Sequence, residues 1–283
     1  MASTEPQALS PADAAALTGL SIEVGWNQTA DDWRVILERG AGEGIFAADG
    51  RPIASACEVP LTPRSRWVCM VLVTTAARRQ GLASRLMGRR IAAIEAAGQV
   101  PGLDATELGR PVYERLGFRP LFALSRLGAE QPHWPMLPGD VALRPLTAED
   151  VPAVAAYDAD ATGCDRAFLL AHLRARRPEA AWLAERGGRI AGFVLSRDGV
   201  RGFGIGPVVA DDDATAAALA AAAGRATPGP TIIDVPDAKA AFAAGLTAAG
   251  FARLRGFTRM VKGADPALGR TERLYALAGP EFG

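Results

Sequence analysis

The two halves of the 283-residue chain carry the same local pattern, and this internal repeat constrains the fold more than any other feature. In Gly117–Leu127 and again in Gly250–Met260, a Gly-Phe pair is followed by apolar residues at equal spacing and by an arginine before the last residue. Leu9–Asp13 and Leu146–Asp150 match in the same order at a similar offset. Because repeats of this kind arise when one folding unit is copied, the sequence predicts two tandem copies of one domain.

The first half contains a predicted strand and helix joined by a cationic turn. Residues 67–73 form an apolar, β-branched run of strand length, and apolar residues recur at helical spacing from Leu82 onward. Arg78, Arg79 and Gly81 stand where the helix begins. The first amides of a helix lack partners inside it, and the peptide dipoles leave positive charge there. The sequence therefore predicts a turn that binds a diphosphate.

Two motifs carry a resemblance to a known family. The run from Val73 to Ala83 resembles the acetyl-coenzyme A loop of the GCN5-related N-acetyltransferases (GNAT family), whose pattern is Arg/Gln-x-x-Gly-x-Gly/Ala after a strand. Val112–Phe118 resembles the family's short helix, with a tyrosine four residues before a Gly-Phe pair. The resemblance implies an α/β fold of two tandem GNAT-like domains. Each would have a mixed, mostly antiparallel sheet, flanked by helices and containing a splayed pair of parallel strands.

The resemblance also implies a function and a cofactor site. The function is transfer of an acetyl group from acetyl-coenzyme A to a primary amine of a small molecule or peptide. Backbone groups of the strand would hold the thioester and pantetheine, and amides of the turn would hold the diphosphate. By position, the residues assigned to this site are Val71, Leu72, Val73, Arg78, Arg79, Gln80, Gly81, Leu82, Ala83 and Ser84.

The resemblance suggests roles for residues outside the cofactor turn. Tyr113 resembles the residue that protonates the coenzyme A thiolate after direct attack by the amine, although a core-packed helix tyrosine is the alternative. The central strand lacks the glutamate that several family members have there, so Glu58, on the preceding strand, is the carboxylate candidate; the alternative is a solvated side chain. Trp26 and Asn27 lie where this fold builds the acceptor pocket, and core packing with a turn explains them equally well.

The three cysteines suggest neither a disulfide framework nor a metal site, because they are far apart and form no CxxC pair. Cys69, on the central strand, could form an acyl-enzyme, since thiolates attack thioesters. However, the two histidines, His133 and His172, lie in the linker and in the second copy. We therefore expect a buried thiol at Cys69.

The second copy lacks both marks of the cofactor site. Asp211, Asp212 and Asp213 stand near the place where a phosphate needs cations, and Leu246 occupies the place of Tyr113. We therefore expect that only the first copy binds coenzyme A in this manner. The second copy would complete the acceptor cleft or hold the domains together.

The predicted organisation has four parts. These are a catalytic domain at 1–128, a proline-rich linker at 129–139, a degenerate domain at 140–264 and a C-terminal extension at 265–283. Lys plus Arg and Asp plus Glu are equal at 31 each, so neither nucleic acid nor a membrane is expected as a partner. The chain shows no spanning apolar run and no leader pattern, which favours a cytoplasmic location.

Three questions stay open at the level of sequence. The rival function is a binding module that holds an acyl-coenzyme A or another small ligand without turnover. The amine acceptor could be an antibiotic, a polyamine, an amino acid or a protein amino terminus, because loops build the acceptor pocket. Monomer and homodimer are both compatible with two copies in one chain.

Overall fold

The computed structural model describes residues 5–135, 141–263 and 270–283. The end of the predicted linker, including Pro138, and residues 265–269 of the predicted C-terminal extension lie outside the described residues. In the described ranges, no helix combines the length and the apolar character that crossing a membrane requires.

The first copy begins with two helices and a meander of strands, then alternates strands and helices. Its helices are α1 (Ala14–Glu23), α2 (Ala30–Arg39), α3 (Leu82–Ala96) and α4 (Arg110–Arg115). Its strands are β1 (Gln7–Ala8), β2 (Ala41–Phe46), β3 (Pro52–Thr62), β4 (Ser65–Val73), β5 (Val100–Thr106) and β6 (Phe118–Ala129).

The second copy repeats this order, which confirms the tandem repeat predicted from the sequence. Its helices are α5 (Val151–Thr162), α6 (Ala167–Arg176), α7 (Asp213–Ala226) and α8 (Ala240–Ala248). Its strands are β7 (Ala142–Pro145), β8 (Trp182–Arg186), β9 (Arg189–Arg197), β10 (Phe203–Ala210), β11 (Thr231–Pro236) and β12 (Ala252–Lys262), followed by the additional β13 (Leu274–Ala276).

The sheet runs continuously through both copies because their last strands are exchanged. Its order is β1-β2-β3-β4-β5-β12-β6-β11-β10-β9-β8-β7. Strand β12 of the second copy pairs antiparallel with β5 of the first, and β6 of the first copy pairs antiparallel with β11 of the second. Between them, β6 and β12 pair antiparallel with each other. Each copy therefore completes the sheet of the other.

The parallel strands β4 and β5 separate along their length. They pair only where Ser65–Trp67 faces Val100–Gly102; beyond Gly102, β5 continues with β12 paired along its other edge. Met70 of β4 has a φ of 51°, and the register between β3 and β4 shifts at this level. A bulge of this kind bends its strand. A gap between β4 and β5 opens beyond it.

The corresponding gap of the second copy is filled by the chain itself. Strands β10 and β11 pair in parallel only at Phe203–Gly204 with Thr231–Ile232. Beyond this point β13 pairs antiparallel with β10, placing Ala276 opposite Val208, and it also contacts β11. Hydrogen bonds that a ligand could make to β10 are thus made by β13.

After β13, residues 277–283 return to the first copy; we call them the tail segment. The indole nitrogen of Trp67, on β4, donates to the Pro280 carbonyl oxygen at 2.8 Å. Phe282 is buried in the core that both copies share. The guanidinium of Arg166, in the second copy, donates to the Gly283 carbonyl oxygen at 2.6 Å. The tail segment therefore ties the two copies together.

A buried ionic cluster also joins the copies at the start of α2. The Thr29 amide donates to Asp32 Oδ2 at 2.8 Å, which caps the start of α2. Asp32 Oδ1 accepts from Arg176 and Arg197 of the second copy, each at 2.6 Å. Burial alone raises the pKa of the Asp32 carboxyl, but the charges of Arg197 and Arg176 outweigh it and hold this pKa below its ordinary value.

Replacing this carboxylate should destabilise the protein in a pH-dependent way. Removing one partner of a buried pair leaves the other uncompensated, so Asp32→Asn should cost roughly 3 to 5 kcal/mol at pH 7. Since the folded-state pKa is depressed, the stabilisation is present above the unfolded pKa of about 3.9 and is lost as pH falls through the folded value. Denaturant unfolding at pH 7 and pH 3 measures this difference.

The matched control is Asp31→Asn, because Asp31 is exposed and pairs with Arg34 on the surface of the same helix. That change should cost less than about 1 kcal/mol at pH 7. Equal losses in the two variants at pH 7 would contradict a stabilising role for the Asp32 cluster.

Candidate active site

The gap between β4 and β5 forms a large cleft of about 860 Å³. Its walls are β4, the start of α3, and the segment from β5 into α4. Most of the residues assigned to the cofactor by resemblance line it. These are Val71, Leu72, Val73, Arg78, Arg79, Gly81, Leu82, Ala83 and Ser84. Gln80 does not line the cleft, and its side-chain amide donates to the Ala76 carbonyl at 3.5 Å.

The amino terminus of α3 faces the cleft without a side-chain cap. Gly81 precedes the first turn with a φ of 75°, which suits glycine, and nothing lies within 4 Å of the place where a Cβ would stand. Arg79 also has a positive φ, 64°, which is uncommon for a residue with a side chain. Arg78 and Arg79 are exposed and have no ion pair with any described residue. The turn thus offers free amides, open space and two cations to an anion.

A second, small cavity of about 90 Å³ adjoins the cleft. The walls of the two spaces share Trp26, Val71, Thr106, Tyr113 and Arg255. The small cavity is further lined by side chains from both copies and from the tail segment. Its remaining lining residues are Gln28, Val68, Cys69, Met70, Leu103, Asp104, Arg126, Phe257, Pro280 and Glu281.

Tyr113 stands at the junction of the cleft and the cavity. It is held on α4, with its ring 6.1 Å from the ring of Phe118. Gly109 makes room for it, since a Cβ there would lie 3.0 Å from the tyrosine ring. Burial raises the pKa of the Tyr113 hydroxyl to about 12, and no described group accepts a hydrogen bond from it. The hydroxyl is therefore protonated near neutral pH and free to donate.

Two residues of the small cavity carry buried oxygen atoms without hydrogen-bond partners. Glu281, in the tail segment, is 3% exposed; its Oε1 accepts from Arg197, while its Oε2 has no partner among the described residues. Gln28 is also 3% exposed, and its Oε1 has no described partner. Sequence reasoning missed both. No local pattern marks Glu281, because its place at the cavity depends on the return of the tail segment to the first copy.

The other charged groups of the small cavity differ in how they are paired. Asp104 is bonded at both oxygens to Arg259, at 3.0 and 2.9 Å, and Arg126 is bonded in the same way to Asp234, at 2.7 and 2.8 Å. Arg255 has no carboxylate of a described residue within 4 Å. Burial, and then the charge of Arg126, lower the pKa of Arg255 to about 10.

The internal repeat contained a signal that could have identified Arg255 as a candidate site residue. Aligning Gly117–Leu127 with Gly250–Met260 places Arg255 opposite Phe122, so a cation stands where the first copy has an aromatic residue. Such a difference between copies is a mark of a position that serves one copy only.

Two residues proposed for the site from the sequence lie elsewhere. Glu58 is buried on β3, lines neither the cleft nor the cavity, and has Arg66 Nη1 at 3.4 Å from its Oε1. Asn27 binds the second copy through its amide, donating to the Gly202 carbonyl at 3.0 Å and accepting from the Arg201 amide at 2.8 Å. Its neighbour Gln28 lines the cavity instead.

Cys69 lines the small cavity as a thiol. Burial, followed by the neighbouring Cys57 and the carboxylates of Glu281 and Glu58, raises the pKa of Cys69 well above its ordinary value. Neither His133 nor His172 lines the cavity. A protonated thiol is a poor nucleophile, so these surroundings do not favour an acyl-enzyme at Cys69. Within the described ranges, no cluster of three His, Cys, Asp or Glu side chains could hold a metal ion.

The second copy has no equivalent of the open helix end. The side chain of Asp212 caps α7 by accepting from the Thr215 amide at 2.8 Å, so this terminus carries its own anion. Tyr275 of β13 donates to Asp213 Oδ1 at 2.6 Å and lies in the filled gap. Both features agree with the interpretation that this copy does not bind a diphosphate at this place.

Comparison with known proteins places this architecture in a family. Residues 22–136 match an acetyltransferase (GNAT) domain, and residues 154–276 match another acetyltransferase (GNAT) domain. The chain therefore belongs to the GNAT acetyltransferase family, with two GNAT domains in tandem. The resemblance seen in the turn at Arg78–Ala83 and in the Tyr113 helix is thereby confirmed at the level of the family.

Individual relatives are distant in sequence and similar in fold. The chain is 26% identical over 245 residues to the holothin acyltransferase of Pseudoalteromonas sp. (strain SANK 73390), covering 85% of this chain and 82% of that protein. A candidate acetyltransferase from Pyrococcus horikoshii has a TM-score of 0.80 at 20% identity, covering 99% and 95% of the two chains. A tandem GNAT protein from the clavulanic acid biosynthesis pathway has a TM-score of 0.65 at 13% identity, covering 93% and 100%.

Proposed function

We propose that the first copy transfers an acetyl group from acetyl-coenzyme A to the primary amine of a small molecule or peptide by direct attack. The observation that carries this proposal is the shared wall of the cleft and the cavity. Val71, Tyr113 and Trp26 line both spaces, so a ligand in the large cleft can meet a second ligand in the small cavity beside the Tyr113 hydroxyl. Bringing two reactants together in this way removes much of the entropic barrier.

The first copy fits the proposed cosubstrate. Its cleft is long and open, and the α3 amides, the open space at Gly81 and the unpaired Arg78 and Arg79 suit a diphosphate. Acetyl-coenzyme A supplies a thioester, whose carbonyl carbon is electrophilic and whose thiol is the leaving group. The filled gap and the Asp212 cap of the second copy support assigning the cosubstrate to the first copy alone.

In the proposed reaction, the amine first loses a proton, and its nitrogen lone pair then forms the bond to the carbonyl carbon. Tyr113 donates its hydroxyl proton to the sulfur as the carbon–sulfur bond breaks, and the second proton lost by the nitrogen returns to Tyr113. The net reaction gives an amide, free coenzyme A and one proton. Because Glu58 lines neither space, the proposal does not use it.

The Tyr113→Phe variant tests whether Tyr113 acts as the general acid. Loss of a positioned acid typically costs 100-fold or more, so kcat should fall by about two orders of magnitude while the Kd for acetyl-coenzyme A changes little. Since burial raises the pKa of Tyr113 to about 12, kcat of the parent protein should show no decrease from loss of this proton between pH 7 and pH 10. Thiol release in steady state and calorimetric titration measure the two effects.

The matched control is Tyr157→Phe, because the Tyr157 hydroxyl contacts Asp211 and the Ala191 carbonyl in the second copy, away from both spaces. Its kcat should equal that of the parent. Unchanged kcat in Tyr113→Phe would remove the tyrosine from the reaction. Tight binding of acetyl-coenzyme A without thiol release for any amine would favour a binding module instead.

Gly81→Ala tests the diphosphate turn. A side chain at φ 75° is strained by about 1 to 2 kcal/mol, so the turn should shift and the Kd for coenzyme A should rise by roughly tenfold. Gly98→Ala is the control, because Gly98 has a φ of 69° with equally open surroundings but lies at the far end of α3. It should show the same thermal destabilisation with an unchanged Kd. Equal affinity in the two variants would separate the diphosphate from this turn.

A further inference from the structure

We propose that the acceptor is an amino acid: an amine that also carries a carboxylate, with its ammonium group against Glu281 and its carboxylate against Arg255. This inference rests on the proposed function and names the class of acceptor. Two features of the small cavity carry it independently. One is a pair of buried acceptor atoms that lack donors, and the other is a cation that lacks an anion.

Glu281 and Gln28 each have a buried oxygen atom that lacks a hydrogen-bond donor within the described ranges. A buried acceptor atom without a hydrogen bond is costly, and such atoms are rare in folded proteins. Glu281 Oε2 and Gln28 Oε1 are two of them, on residues that line the same cavity. An ammonium group presents three donors and a positive charge, so it matches acceptor atoms of this kind. A carboxylate bonded to an ammonium also makes the stronger, charge-assisted hydrogen bond.

The position of Glu281 suits the reacting nitrogen. Its charge acts on the thiol of Cys69, which is two residues before Val71 on β4. Val71 lies at the junction where the cleft meets the cavity. An ammonium held by Glu281 therefore lies near the place where the proposed thioester is presented. The Arg197 contact at Oε1 holds the carboxylate in place, while Oε2 has no partner among the described residues.

The need for an anion is shown by Arg255. The other charged groups that line the cavity have partners: Asp104 has Arg259, Arg126 has Asp234 and Glu281 has Arg197. Arg255 has no ion-pair partner among the described residues; its guanidinium lies over the Phe257 ring at 5.4 Å, it is partly buried, and its pKa is lowered. A carboxylate can bind a guanidinium with two parallel hydrogen bonds and would offset this unfavourable environment.

The two groups are close enough for one small molecule. Both line a cavity of only about 90 Å³, so a ligand that fills it can contact both. The second copy supplies Arg255 from β12, and the tail segment supplies Glu281. The half of the chain that lacks the cofactor turn therefore supplies both charged groups of the proposed acceptor site.

The first experiment compares acceptors that differ only in the carboxylate. Acetyl-coenzyme A is supplied with glycine, β-alanine, 4-aminobutyrate, L-alanine or L-phenylalanine, and in parallel with the amines that remain when each carboxylate is removed. An amide product is measured by mass spectrometry and kcat/KM by thiol release. We expect at least one amino acid to exceed its decarboxylated partner by about tenfold or more, the value of one charge-assisted pair.

The Arg255→Gln variant tests whether Arg255 binds the carboxylate of the acceptor. In this variant the kcat/KM of the preferred amino acid should fall by about tenfold or more, to the level of its decarboxylated partner, whose own kcat/KM stays within a factor of about two. Arg253→Gln is the matched control, because Arg253 lies on the same strand but is exposed, pairs with Glu107 and lines neither space. The preference for the amino acid should survive in the control.

Glu281→Gln identifies the group that binds the ammonium. It should lower kcat/KM about tenfold for the amino acid and for its decarboxylated partner alike, while the Kd for acetyl-coenzyme A stays the same. Asp31→Asn is the control, since Asp31 pairs with Arg34 on the surface of α2 and lines neither space. Circular dichroism checks that each variant is folded, and in the folded control the KM for the acceptor should be unchanged.

The outcomes separate this inference from the proposed function. No turnover of any amino acid, equal turnover of each pair, or a preference that persists in Arg255→Gln would overturn the inference. If simple amines are then still acetylated, the proposed acetyl transfer is supported and only the assignment of an amino acid as acceptor is wrong. If acetyl-coenzyme A neither binds nor releases thiol with any acceptor, the proposed function itself fails.

Discussion

The exchange of the last strand between the two copies is the constraint on which the rest of the structure depends. Each exchanged strand carries a buried arginine that donates two hydrogen bonds to the carboxylate of an aspartate in the other copy. These pairs are Arg259 with Asp104, and Arg126 with Asp234. Taking such charges out of water is expensive, so the pairs contribute little net stability compared with apolar residues. They do penalise a shifted register, because a slipped strand would leave four buried charges without partners. We infer that the pairs fix the register of the central strands.

With this exchange in place, the two copies of one fold differ in the gap between their parallel strands and in the helix end beside it. In the first copy, the gap between the parallel strands stays open and leads to an uncapped helix end. In the second copy, β13 fills the gap and Asp212 caps the helix. The second copy contributes walls instead, because β12 and the tail segment reach the small cavity with Arg255 and Glu281. A copy without the open helix end can thus still line a cavity of the other copy.

Sequence reasoning located residues of the cleft most directly where the structure depends on neighbours in the chain. The turn from Arg78 to Ser84 is a local feature, since a strand end, a glycine and a helix start follow one another directly. Tyr113 was found for the same reason. Residues of the proposed acceptor site were harder to predict. Glu58 is buried on β3 and does not line the cavity, and the prediction named Asn27, whereas its neighbour Gln28 lines the cavity. A shift of one residue in a loop changes which side chain faces a ligand, and no periodic pattern fixes it.

The sequence by itself determined the two copies, the order of their helices and strands, and which copy keeps the cationic turn. These properties follow from apolar periodicity, caps and glycines, whose physical effects act within a few residues. Only the tertiary structure decided that β6 and β12 change places, that β13 fills the second gap, and that the tail segment delivers Glu281 to the first copy. An alternating apolar strand can pair with several partners, so its choice depends on the packing and charge pairing of the whole molecule.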